Sequence, residues 1–162
     1  MKGFGGLVLM MLLAGCTAGR TIRMEQVRNF APDRPQQLLF LDLLITREGA
    51  AGPEMVQIIN AVAAEGLCRE CGQAAFHGGY RLLCTYQYSD GRPPVTETYE
   101  HPLLRTVELF DPDGSLDRRP VSAREGHLSL RIQYDRSLTR VELFSQTPDR
   151  GPHRIHSIRI KP

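Results

Sequence analysis

The sequence contains no tryptophan and only two lysines, Lys2 and Lys161, among its 20 lysine and arginine residues. It carries almost no excess of either charge: 20 basic against 18 acidic residues gives a formal +2. A nucleic-acid binder needs a concentrated basic surface, so this balance speaks against that class. The preference for arginine follows more simply from a GC-rich genome than from phosphate recognition. Long apolar runs are missing too. The longest, Gly3 to Gly15, falls short of the ~18 residues of a membrane-spanning helix. That excludes a multi-span membrane protein of the helical kind. No GxSxG, HExxH, phosphate-loop or dinucleotide fingerprint occurs. What remains is 162 residues, 41% hydrophobic and 23% charged, which fits about one folded domain rather than a disordered or fibrous chain.

The N-terminus reads as an address. Met1-Lys2 gives a positive start, and Phe4 together with Leu7 to Leu13 gives an apolar core. Small residues Ala14 and Gly15 come next, then Cys16. Leu13-Ala14-Gly15-Cys16 resembles the lipobox of bacterial lipoprotein precursors. The resemblance covers residues 1–16. It implies cleavage before Cys16, a covalent diacylglycerol on that sulfur and a palmitate-labelled, membrane-anchored product. Two or more acyl chains make such anchoring stable, at about 0.8 kcal/mol per buried methylene. Thr17, not aspartate, follows the cysteine, which resembles lipoproteins sorted to the outer membrane, facing the periplasm or the cell surface. Loss of Lys2 with the leader leaves a formal charge of about +1.

Residues 16–36 read as the lipidated cysteine and a tether rich in arginine, with Pro32 and Pro35. As a coil it would span roughly 25 Å, and about 65 Å when extended. Ile22, Met24, Val27 and Phe30 offer an alternative, in which part of this stretch docks on the domain.

Residues 37–162 read as a single domain, mainly β. Gln37–Thr46 is a nearly continuous apolar run, suited to a strand buried on both faces. Between Pro53 and Gly66, residues Met55, Ile58, Ile59 and Val62 fall at helical spacing. They predict one accessory α-helix over about 53–65 that packs on a sheet. Strand signals then dominate, at residues 80–88, 95–99, 104–110, 128–134, 138–144 and 154–160. Turns such as Asp90-Gly91 and Asp111-Pro112-Asp113-Gly114 separate them. Leu128, Leu130, Ile132 and Tyr134 alternate with polar residues most cleanly. The expected fold is an antiparallel β-sandwich of about seven strands, similar to immunoglobulin-like or transthyretin-like domains. Val107–Phe110 recurs as Val141–Phe144, too short an echo to indicate duplication. Glu108 and Glu142 within it are not an acid/base pair.

The other cysteines carry the most information in the body of the chain. With Cys16 acylated, Cys68, Cys71 and Cys84 remain, and an oxidising compartment favours one bridge among them. The expected bridge joins Cys68 or Cys71 to Cys84, closing a loop of about 15 residues for roughly 3 kcal/mol. Alternatively Cys68-Arg69-Glu70-Cys71 forms a redox pair, or Cys68, Cys71, His77 and Cys84 hold zinc. His153 and His156, three apart on a strand, point to opposite faces and would not chelate one metal. His101 and His127 look like loop residues. Asp111, Asp113 and Asp117 fit a plain turn better than a calcium loop. No metal, cofactor or catalytic residue is expected beyond the lipid on Cys16. The reading is a non-enzymatic, lipid-anchored envelope lipoprotein that serves as an interaction or structural subunit, for instance of a secretion, pilus or envelope-assembly machine. A periplasmic thiol-redox or metal-handling protein using Cys68, Cys71 and Cys84 is the alternative. An envelope hydrolase would require a cleft that pairs carboxylates, or a histidine with a serine.

Overall fold

Alternation of apolar and polar side chains organises almost the whole chain. In the computed structural model, residues 20–49, 52–71, 74–110, 114 and 116–162 are described. They form ten strands: β1 (Arg20–Arg23), β2 (Gln37–Arg47), β3 (Glu54–Glu65), β4 (Arg81–Tyr88), β5 (Val95–Glu100), β6 (Leu104–Phe110), β7 (Leu116–Ser122), β8 (Glu125–Tyr134), β9 (Leu138–Thr147) and β10 (Arg150–Lys161). A five-stranded sheet runs β1-β10-β9-β4-β5, a three-stranded sheet runs β3-β2-β8, and β6 with β7 forms a separate hairpin. The expected signal peptide and lipid-bearing Cys16 lie outside the described residues.

The two larger sheets close on one core. From the three-stranded sheet, Leu39, Leu41, Leu43 and Ile45 of β2 and Leu128, Leu130, Ile132 and Tyr134 of β8 point inward. Leu82, Cys84 and Tyr86 of β4, Val141 and Leu143 of β9, and Ile158 and Ile160 of β10 meet them. Each fully buried leucine contributes about 1.5–3 kcal/mol relative to exposure. The strand expected to be buried on both faces, β2, is fully buried on one. Its other face, with Leu38, Phe40, Asp42 and Leu44, is half-covered.

The expected helix over 53–65 does not form; Glu54–Glu65 is a strand paired along its length with β2. The physical reason is a β-bulge. Ile58 pairs with Leu43 and Asn60 with Asp42, so Ile59 is the extra residue. A bulge inserts one residue into a period-two pattern, and here that insertion spaces the apolar residues as a helix would. The β-branched residues Val56, Ile58, Ile59 and Val62 favour the extended backbone.

The strand count is also corrected. All seven expected strands are present, and β1, β3 and β7 add to them. Among the described residues, the fold also includes residues upstream of Gln37, back to Arg20. β1 pairs in parallel with Ile158–Lys161 of β10, and Met24 of the following 3-10 turn (Met24–Gln26) is fully buried. The Gln37 side chain then secures the crossing into β2. It accepts from the Ala31 amide at 3.0 Å and donates to the Ala31 and Arg34 carbonyls at 2.7 and 3.1 Å. The stretch read as a tether is therefore docked from Arg20 onward.

Candidate functional site

Each open side of the sandwich, where the edges of the two larger sheets approach, carries a cleft. On the first side, β3 begins beside the β9–β10 turn. Arg47, Gly52, Glu54, Ser145, Arg150 and His153 help to line a cleft of about 570 Å³ there. Glu54 and Ser145 of this lining belong to a buried polar cluster. His101, expected to be a loop residue, is fully buried just ahead of β6. Its Nδ1 accepts the Leu103 amide proton at 3.1 Å, so the ring proton sits on Nε2. That atom faces Ser145 Oγ at 3.1 Å and Glu54 Oε1 at 3.3 Å. Arg47 Nη1 lies 3.9 Å from the same carboxylate oxygen. Burial, the largest single influence on Glu54, opposes its ionisation. The hydrogen bond from His101, the Ser145 hydroxyl and the Arg47 charge together outweigh it and hold the carboxyl below its ordinary value.

A histidine, a serine and a carboxylate thus meet, as a hydrolase would require, but not in a hydrolytic order. A general base needs a free ring nitrogen aimed at the serine, with the opposite nitrogen donating to the carboxylate. Here one protonated nitrogen faces both partners, a backbone amide occupies the other, and Ser145 is fully buried. The geometry makes a polar lock between the sheets.

On the opposite side, the chain leaving β3 crosses the outer face of β2. The Cys68 amide donates to Gln133 Oε1 at 2.8 Å. Ala75 then pairs in parallel with Thr98 of β5. Cys68 and Cys71 form a disulfide on this crossing. The expected bridge to Cys84 is therefore corrected. Cys84 is a free thiol in the core, on the inner face of the five-stranded sheet, whereas the other two cysteines cross the outer face of the three-stranded one. Burial, reinforced by the Glu97 charge, pushes the Cys84 thiol well above its ordinary value. The zinc set is not assembled either, since Cys68 and Cys71 bond each other, Cys84 is in the core and His77 is exposed.

The disulfide borders a pocket of about 270 Å³ together with Phe40, Glu97, Tyr99 and Arg131. Glu97 is buried, stands directly across from Cys84, and accepts hydrogen bonds from the Tyr86 and Tyr99 hydroxyls. Burial, above all, raises both tyrosines.

The remaining candidates separate. Asp117 pairs with Arg119 at 2.7 Å, while Asp111 and Asp113 lie outside the described residues. Glu142 sits in central β9, where Gln87 and Arg154 bond it, whereas Glu108 is exposed on β6. The four-residue echo therefore occupies unlike environments. His153 reaches the first cleft; burial, then the Arg20 charge, lowers His156. Nothing in the sequence marks the Glu54–His101–Ser145 cluster. Its members come from three distant segments, so no local spacing marks it. Compared with known proteins, the chain matches no family model, no curated protein and no solved structure.

Proposed function

We propose that this chain is a lipid-anchored β-sandwich of immunoglobulin-like or transthyretin-like type that acts as a non-enzymatic interaction subunit of the bacterial envelope. It is carried on the outer membrane by acylated Cys16 and faces the periplasm or cell surface. The observation that carries the reading is the outer edge of β3. This strand ends the three-stranded sheet and runs for twelve residues, with no charge and no proline between Glu54 and Glu65. Met55 and Ile59 are 51% and 48% exposed along it. Natural sheet edges are normally guarded by lysine, proline, shortness or a covering segment, because unpaired backbone groups recruit another strand. The bulge at Ile59 is one such guard, and among the described residues Arg28 covers the far end, at Val62 and Ala63. A partner strand laid along Met55–Ala61 would complete the edge.

The test is a photo-crosslinking residue at Ile59, with another at exposed Arg136 as control, both in intact cells. A discrete adduct from position 59 that disappears with Met55→Lys supports the reading. Equal adducts from both positions, or none from position 59, would count against it.

A second reading, thiol redox exchange at Cys68–Cys71, is favoured by the pairing itself. A surface bridge three residues apart borders a pocket that also holds a carboxylate. Reduction that leaves the fold intact, with exchange against a model disulfide faster than for an exposed cysteine in unfolded chain, would support it. Exchange no faster than that reference would oppose it.

A further inference from the structure

The cleft beside Glu54 has unmet hydrogen-bonding capacity of a particular kind. The Glu54 side chain is 7% exposed and Arg47 is 11% exposed. Glu54 Oε1 is engaged by His101, yet Oε2 is buried and meets no hydrogen-bond partner among the described residues. Arg47 Nε is buried in the same condition, as is His153 Nδ1. All three residues line the cleft. Leaving a buried charged group short of a hydrogen bond costs more than leaving a neutral one, so whatever enters must donate to Glu54 and accept from Arg47.

Charge narrows the ligand further. Arg154 is neutralised by Glu142 at 3.0 Å, and Glu54 offsets Arg47. Arg150, exposed on the rim, leaves the cleft with one surplus positive charge. A bare anion would meet the Glu54 carboxylate head-on. An anion carrying an N–H or O–H donor on the adjacent carbon would not, because that donor faces Oε2 while the anionic oxygens face Arg47 and Arg150. The cleft volume lies within the ~300–1,000 Å³ of ordinary small-ligand sites.

We infer that the cleft between β3 and β10 binds an α-carboxylate whose α-substituent is a hydrogen-bond donor. The carboxyl-terminal residue of a peptide and a small α-hydroxy acid share this chemistry. Glu54 would accept the N–H or O–H, and Arg47 and Arg150 would hold the carboxylate. The site adjoins the start of the β3 edge, but its ligand contacts come from the Arg47, Glu54 and Arg150 side chains and do not need a partner strand along Met55–Ala61.

The test is calorimetry and amide-resonance titration of the full chain in detergent micelles. Three probes are used: N-acetyl-alanyl-alanine, the same peptide with an amidated terminus, and lactate. The free acid should shift resonances of Gly52 and His153. Amidation, or Arg150→Ala, should weaken binding by about tenfold or more, the effect of one charge-assisted hydrogen bond. Arg150 is exposed, so this loss is not a loss of fold, and Arg28→Ala should leave affinity unchanged. Lactate binding as tightly as the peptide assigns the site to small hydroxy acids; much weaker lactate binding assigns it to peptide termini. Equal affinity for acid and amide overturns the inference. So does an unaffected Arg150→Ala, or no response to any probe at about 10 mM, beyond which affinity is negligible.

Discussion

His101 Nε2 lies 3.3 Å from Glu54 Oε1, which ties the residue ahead of β6 to the first residue of β3 inside a nearly closed polar cluster. This relationship sets an acid-stability prediction. The folded carboxyl titrates below its ordinary value of 4.5. Its contribution is therefore fully present above about pH 4.5 and is lost as pH falls through the folded value. Glu54→Gln should cost about 1–3 kcal/mol at pH 7, the range for leaving buried partners unsatisfied. Urea denaturation at pH 7 and near pH 3 checks this. The gap between variant and parent should shrink at the lower pH, and a gap independent of pH would contradict the assignment.

The His101 loop also explains a glycine. Gly126 of β8 pairs with neighbouring β2 at Ile45, and Pro102 lies directly over it. A Cβ there would stand 2.6 Å from the Pro102 carbonyl oxygen and 2.9 Å from its carbonyl carbon, both backbone atoms. Gly126→Ala must move the loop, at about 1–3 kcal/mol for overpacking. Because the same loop positions His101, the double variant with Glu54→Gln should lose less than the sum of the two single losses. Strict additivity in a double-mutant cycle would show that the loop and the cluster are independent.

These two features show which parts of the fold were legible in the sequence. Leu128 to Tyr134 alternate without interruption, and the strand they predict is β8. In β3 the same physics was at work, but the bulge at Ile59 shifted the alternation by one residue and produced helical spacing. Cys68 and Cys71 were visible as a pair, while their separation from Cys84 depends on which sheet face each occupies. The first cleft was not legible, because Glu54, His101 and Ser145 gather through tertiary packing alone. Met24 and Val27 did signal docking, and the extent of docking back to Arg20 rests on pairing with β10, a contact made across the length of the chain.

Thiol accounting separates the two cysteine environments. In native, oxidised protein no body cysteine should react with a thiol reagent, since Cys68 and Cys71 are bonded and Cys84 is buried with a raised pKa. Mild reduction should release two reactive thiols, with the third appearing only on unfolding, even at pH 10. Closing a loop this short is worth about 2 kcal/mol at most in the chain-entropy model, so Cys71→Ser should remain folded. Cys84→Ser should retain the disulfide and lose about 1–3 kcal/mol from placing a hydroxyl in the apolar core. Mass spectrometry after alkylation gives the count. A native protein that exposes one fast thiol before reduction would refute the pairing.

The anchor is tested independently of the fold. If Cys16 carries the lipid, only four residue steps join it to Arg20, where β1 begins, a reach of about 14 Å at full extension. The domain would then ride close to the membrane, far nearer than the ~65 Å of a twenty-residue extended tether. Cys16→Ser should abolish radioactive palmitate labelling, leave an unprocessed precursor and deny the protein its acyl anchor. Position 16 precedes the first described strand, so the thermal unfolding midpoint of the variant domain should match that of the parent. Continued palmitate labelling of Cys16→Ser would refute acylation at this cysteine, and a large fall in the unfolding midpoint would show that residues ahead of Arg20 belong to the fold.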